Sequence, residues 1–200
     1  MAKTILTISV IILSLFAGTG VAQTAKSVQT RRINRYVKQL EKYVDKPSNK
    51  CEIYANVSTG KKDRWRRFRF EKSLEKSRES HEADEIAYVW RNNGKVLAVN
   101  FTFTSESGDW AHYVFYRFRP DGSLAKIEAD LRTFYGDLSV QRGYYYSTGG
   151  RLISKHTRFR DLTTDKPKKP GDDFYDEKVN IYKTTGKLPF AKLLRKTRGG

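Results

Sequence analysis

Residues 92–105 read NNGKVLAVNFTFTS, and this stretch decides the fold. After the turn signal Asn93-Gly94, large apolar residues take every second position from Leu97 to Phe103, with Ala98, Asn100, Thr102 and Thr104 between them. Asparagine followed by glycine favours a two-residue hairpin turn, because both residues tolerate positive φ. Alternation with a period of two indicates a strand that has one buried and one wetted face. The stretch therefore predicts an antiparallel hairpin.

Similar segments, separated by short Gly-, Asp- or Pro-containing turns, extend the pattern in both directions. Six strands are predicted in this region: Ile86–Arg91, Lys95–Ser105, Trp110–Arg119, Leu124–Thr133, Ser139–Ser147 and Arg151–Asp161. Two more alternating runs precede them, around Ile53–Val57 and Arg64–Glu71, and a further short strand is predicted at residues 178–183. Short turns join consecutive strands antiparallel, so we expect a meander of about six to eight strands.

A different period marks the region before the strands. Within residues 23–50, apolar side chains recur at spacings of three and four, while arginines and lysines fill the other side. The pattern predicts an amphipathic helix, stopped near Pro47, that packs on the sheet; a basic helix lying on a membrane is the alternative. Residues 71–84 are polar and fit either a solvated helix or a loop. The fold class is therefore α+β.

The chain divides into four segments. Residues 1–22 have a basic start, an apolar run and small residues before Ala22, which is the pattern of a cleavable signal peptide. Residues 23–50 form the helix, residues 51–162 the sheet domain and residues 163–200 a basic extension. We expect an exported protein, in the periplasm or outside a bacterium, with no membrane-spanning segment in the mature chain. Its expected core is Ile33, Val37, Leu40, Val99, Phe101, Phe103, Ile127 and Leu131.

The net charge of +17 is the strongest indication of a partner. It exceeds the magnitude of roughly 2–8 that solubility requires, and such a field attracts anions. Outside the cytoplasm we expect an anionic polymer, a membrane surface or an acidic protein rather than nucleic acid. A proteome that is basic throughout is the alternative explanation, and the oligomeric state is left open.

One segment concentrates this charge among aromatic residues. Residues 61–69, KKDRWRRFR, carry six cations and two aromatic rings. Arginine grips phosphate or carboxylate through two-point contacts, and a flat ring offers a stacking surface. The candidate anion-binding residues are Arg64, Trp65, Arg66, Arg67 and Arg69. A charged edge strand protected against aggregation is the alternative.

No recognised catalytic motif is present, so we predict a binding protein with no catalytic residue, cofactor or metal assigned. The lone Cys51 lacks the context of a thiol nucleophile. Two alternatives stay open. One is a hydrolase that uses His112 or His156 with a nearby carboxylate. The other is a lipid or small-ligand carrier, because the strand at residues 110–118 is apolar on both sides.

Overall fold

The computed structural model describes residues 17–58, 62–79, 85–105, 107–172, 174 and 176–196, with the side chains of residues 17–24, 79 and 196 excepted. Most of the predicted signal peptide lies outside this range, as does the second half of the polar segment, residues 80–84. Helix α1, Ala17–Val44, confirms the predicted N-terminal helix. It ends just before Pro47, as the position of that proline predicts.

The described strands form one antiparallel sheet in the order β2-β1-β3-β4-β5-β6-β7-β8. Their bounds are β1 Glu52–Asn56, β2 Trp65–Phe68, β3 Glu85–Asn92, β4 Lys95–Thr104, β5 Trp110–Phe118, β6 Leu124–Thr133, β7 Leu138–Tyr146 and β8 Leu152–Asp161. The predicted meander is thus confirmed. Asn93 and Gly94 both have positive φ, 48° and 73°, which is the hairpin geometry expected from their sequence.

Helix α1 lies across one face of the sheet and is fixed there by apolar packing and two phenol groups. Ile33 and Val37 pack with Ala125 and Tyr145. The Tyr36 hydroxyl donates to the carbonyl of Phe118, and the Tyr43 hydroxyl donates to the carbonyl of Arg91 at 2.7 Å. These bonds tie the helix to β5 and to β3, so α1 spans several strands and leaves the rest of this face to other elements.

Helix α2, Glu71–Glu79, covers the same face above β1–β3. Leu74 is buried with Ile53, Phe68 and Ile86. Residues 71–79 therefore form a helix and not a loop. The single apolar residue Leu74 is enough to pack the inner side of this helix against the sheet. Further along this face, on β5 to β7, Phe115, Glu128, Asp130 and Gln141 are only half-buried, and we call this area the groove face.

The opposite face is covered by residues 176–195, which we call the strap. The strap contains a short 3-10 helix at Thr185–Lys187 and helix α3 at Ala191–Lys196. Its buried residues Leu188, Phe190 and Leu194 join the core formed by the strands. Phe190 is 1% exposed, and its ring stacks on Tyr54 at 4.7 Å between centroids. The strap therefore closes the aromatic side of the sheet.

The strap follows the sheet without joining it as a strand. Tyr116 donates its hydroxyl proton to the carbonyl of Asn180 at 2.6 Å, and the Leu124 N–H donates to the carbonyl of Lys183 at 2.9 Å. A single bridge links Ser123 with Thr184. The predicted strand at residues 178–183 was wrong, because this segment crosses the face of the sheet, where no neighbouring strand offers a ladder of partners.

The predicted core is buried in all but one position. Phe103 is half-buried and stacks on Phe101 with 5.9 Å between ring centroids. Strand β5 is covered unequally on its two sides. Tyr116 and Phe118 are buried among residues that the strap covers, whereas Phe115 is half-exposed on the groove face.

Candidate anion-binding surfaces

The four arginines predicted to bind anions lie on and beside the edge strand β2. Arg64, Arg66, Arg67 and Arg69 are all exposed, and we call them the β2 patch. Among the strands that the structure describes, β2 pairs with β1 alone and forms one edge of the sheet. Side chains alternate along a strand. Arg66 therefore shares a face with Phe68, and Arg67 lies on the opposite face. The patch wraps around the edge of the sheet.

Aromatic rings hold two of these guanidinium groups. The Arg66 guanidinium carbon lies 4.4 Å from the centroid of Phe68, and that of Arg69 lies 5.5 Å from the centroid of Phe70. Cation–π contacts of this kind contribute about 0.5–1 kcal/mol at exposed sites and reduce the freedom of the long side chain. Phe70 itself is 62% exposed, so an apolar ring stands among the cations.

Most of the charge in the patch has no carboxylate partner. Arg67 Nη2 lies 3.7 Å from Glu52 Oε1. Within the described residues, none of Arg64, Arg66 and Arg69 forms an ion pair. Their donors are therefore open to an external anion.

Trp65 does not face outward with the arginines. Its ring meets Phe190 at 5.0 Å and Phe101 at 5.8 Å between centroids, and its indole nitrogen is buried. The alternation of β2 turns this side chain toward the strap. It therefore anchors the edge strand to the core, with only part of its side chain exposed.

A second basic surface is the outer side of α1. Its exposed cations are Lys26, Arg31, Arg32, Arg35, Lys38 and Lys42, and none of them forms an ion pair among the described residues. The helical pattern of the sequence already separates these residues from the apolar stripe. The packing of that stripe on the sheet leaves the cations pointing to solvent.

The groove face contains a shallow cavity of about 270 Å³ whose acidic residues are already engaged. Glu128 accepts from Lys126 Nζ at 2.6 Å. Asp130 accepts from Arg132 Nε at 2.9 Å and from the Ser139 hydroxyl at 2.8 Å. Both carboxylates of this cavity therefore already have a cationic partner within the chain.

The two histidines proposed for a hydrolase occupy different surroundings. His156 lies in the groove cavity, and burial together with Arg158 and Lys126 lowers its pKa. His112 is buried; burial and Arg142 lower its pKa to about 4. Within the described residues, no hydrogen bond joins either ring to a carboxylate.

The lone thiol is not activated either. Cys51 is half-buried, and burial raises the pKa of its thiol, with a smaller contribution from Glu71. Reactive cysteines have a lowered pKa. Among the described residues, no group of three histidine, cysteine or acidic side chains could hold a metal ion.

No protein-family model, curated protein or solved structure matches this chain. None of the helices in the described ranges is both long and apolar enough to cross a bilayer. Among the described residues, the β2 patch and the outer side of α1 are two surfaces that carry several cations without an ion-pair partner.

Proposed function

We propose that this chain is an exported, non-enzymatic protein that binds an anionic polymer of the cell envelope through the β2 patch. The observation that carries the proposal is the pair of guanidinium groups held over Phe68 and Phe70 at an exposed sheet edge. Arginines held in this way lose less conformational freedom when they grip a phosphate or carboxylate. A polymer with regularly repeated anions would contact several of them at once.

Electrostatics set the expected strength of this interaction. A cation near an anionic surface contributes about 1 kcal/mol, so four contribute about 4 kcal/mol, or roughly a thousandfold in affinity. Screening becomes effective beyond about 8 Å at physiological ionic strength. Binding should therefore weaken steeply as salt rises.

The carrier interpretation receives less support. On the aromatic side of the sheet, the space that an apolar ligand would need is filled by Leu188, Phe190 and Leu194 of the strap. A cavity of about 440 Å³ beside α1 combines the apolar Ile33 and Ile153 with the charged Arg32 and Arg119. The hydrolase interpretation would need a histidine paired with a carboxylate, and no such pair occurs among the described residues.

The test compares two variants of the mature chain, residues 23–200, that have lost the same amount of charge. In the first, Arg64, Arg66, Arg67 and Arg69 are changed to Gln. In the second, four cations of α1 are changed to Gln: Arg31, Arg35, Lys38 and Lys42. Binding to polyphosphate, to polygalacturonate and to vesicles with or without anionic lipid is measured at 50 and 200 mM salt.

We expect the β2 variant to lose at least a hundredfold in affinity for one of the polymers, and the α1 variant to lose less than tenfold. Polyphosphate and polygalacturonate distinguish phosphate from carboxylate recognition. Equal losses in both variants would mean that net charge alone attracts the polymer. A loss only in the α1 variant, or binding only to vesicles, would overturn the proposal.

A further inference from the structure

The second edge of the sheet, strand β8, is open along most of its length. Among the described strands, β8 pairs with β7 alone. Residues 155–158 in its middle are exposed. An open edge presents unpaired backbone N–H and C=O groups that can pair with another chain. At ten residues, β8 is also much longer than the four-residue edge strand β2.

The chain itself already pairs with one end of this edge. The Asp161 N–H donates to the carbonyl of Lys166 at 2.8 Å, and the Lys168 N–H donates to the carbonyl of Phe159 at 3.2 Å. An antiparallel bridge joins Arg160 with Pro167. This short segment shows that the edge of β8 accepts an antiparallel strand.

The same contacts show which backbone groups remain open. The backbone carbonyl of Phe159 and the backbone N–H of Asp161 point away from β7. Because this direction alternates along a strand, the backbone groups of Lys155 and Thr157 also point away from β7. The chain's own pairing stops after Lys168, because Pro170 has no N–H and the chain then turns onto the strap face. An added segment would extend the Lys166–Lys168 pairing along Thr157 and Lys155.

The positive charge of β8 indicates which kind of segment would pair with it. Residues 151–161 contain four cations and one carboxylate. The cations are Arg151, Lys155, Arg158 and Arg160, and the carboxylate is Asp161 at the end of the strand. Arg160 pairs with Asp165 at 3.7 Å, while Arg151, Lys155 and Arg158 have no carboxylate partner within the described ranges. Pairing β8 with a second copy of itself would place cations against cations. An acidic segment has the complementary charge.

We propose that β8 is a docking strand for an extended acidic segment of another protein, which adds antiparallel to the sheet beside Lys155 and Thr157. Backbone hydrogen bonds would hold the segment, and Lys155 and Arg158, on opposite faces, would each favour a carboxylate beside them. This inference concerns a different surface from the β2 patch and does not depend on the polymer proposal.

The test uses the peptide Thr-Glu-Glu-Val-Thr-Glu-Glu-Val, with fluorescein on its N-terminus and an amidated C-terminus, and fluorescence anisotropy as the readout. One control peptide has Lys in place of every Glu. Two others are N-methylated at alternate residues, one at the odd and one at the even positions. In an extended peptide, the N–H groups of odd and even residues point to opposite edges. N-methylation should therefore weaken binding only when it removes the N–H groups on the edge that pairs with β8.

We expect the acidic peptide to bind at least tenfold more tightly than the Lys peptide. One N-methylated set should weaken binding at least tenfold, and the other should leave it within twofold. On the protein side, Thr157→Pro removes an outward N–H at an edge position where proline is tolerated, and should weaken binding at least tenfold. Thr157→Val keeps the N–H and should bind like the parent.

Several results would overturn the inference. Equal effects of the two N-methylated sets would show a purely electrostatic attraction, and this comparison uses the parent protein, so it stands even if the proline variant fails to fold. Binding lost in the β2 variant but kept in Thr157→Pro would place the peptide at the other edge. Sedimentation that shows a dimer abolished by Thr157→Pro would assign β8 to self-association.

Discussion

Replacement of Phe190 by Ala measures how far the strap belongs to the folded domain. The ring of Phe190 is 1% exposed and meets three other aromatic rings, those of Tyr54 at 4.7 Å, Trp65 at 5.0 Å and Phe101 at 5.7 Å. Truncation of a buried phenylalanine to alanine costs about 3–5 kcal/mol, from lost burial and the cavity left behind. We take about 4 kcal/mol as the expected loss in the free energy of unfolding.

Urea unfolding followed by tryptophan fluorescence is the assay, because Trp65 touches the altered position. With a slope of about 2 kcal/mol per molar urea, a loss of 4 kcal/mol lowers the midpoint by about 2 M. Ile181→Ala is the matched control: Ile181 lies in the same strap but is 48% exposed, so its replacement should change stability by about 0.5 kcal/mol or less.

The reasoning fails if Phe190→Ala moves the midpoint no further than Ile181→Ala does. That result would mean that the strap detaches before the sheet unfolds, so that its contacts do not contribute to the measured cooperative transition. A midpoint shift near 2 M with an unchanged slope would show that the strap and the sheet unfold as one unit.

Three further predictions follow from buried or crowded side chains. Gly143→Ala should cost about 1 kcal/mol, because the new Cβ would lie 2.2 Å from His156 Cε1; the cost should vanish in a His156→Ala background, measured as a double-mutant cycle. Asp176→Asn should cost about 1–2 kcal/mol in urea unfolding, because it removes the ion-pair partner of the buried Arg142 guanidinium; the 57% exposure of Asp176 reduces the effect below that of a fully buried pair. His112→Leu should flatten the pH dependence of stability. The folded pKa of His112 is about 4 and the unfolded value about 6.5, so the unfolded chain binds more protons between them, and the parent should lose about 2.5 kcal/mol relative to the variant between pH 7 and pH 4.5.

Each of these has an outcome that would contradict it. If Gly143→Ala costs as much without the His156 ring as with it, the ring is not what the new methyl group meets. If Asp176→Asn is no more harmful than Asp165→Asn, whose carboxylate is 74% exposed, the buried guanidinium does not need its partner. Parallel stability curves for the parent and His112→Leu from pH 7 to pH 4.5 would mean that His112 titrates normally in the folded state.

The sheet could be predicted from sequence because its signals are local. Alternation from Leu97 to Phe103 and the Asn93-Gly94 turn each depend on neighbouring residues, and the ends of β3 to β8 lie within one residue of the predicted ones. The run predicted at Arg64–Glu71 is longer than β2, which ends at Phe68. The same local logic places Arg66 and Phe68 on one face of β2, so their contact could have been anticipated from their spacing.

The strap could not be predicted in this way. The half-buried Tyr182 and the buried Leu188 and Phe190 follow neither a period of two nor one of 3.6, and they pack on the core only through contacts with strands far away in the chain. The direction in which Trp65 faces depends on those same contacts. The order of the sheet, which makes β8 an edge, likewise follows from the pairing of all the strands and not from the composition of β8.

Folding cannot be completed until the strap has been synthesised, because the strap covers one face of the sheet. Tyr54, Phe101 and Tyr116 stand on the face that Phe190 and its neighbours cover, and all three are synthesised well before Phe190. At roughly 5–20 residues per second, the emerging sheet spends several seconds with that aromatic face bare. During this interval the nascent chain is exposed to non-native association and is a natural client for a chaperone. A ribosome-bound chain that ends before residue 188 should therefore bind a hydrophobic dye, and the released full-length protein should not.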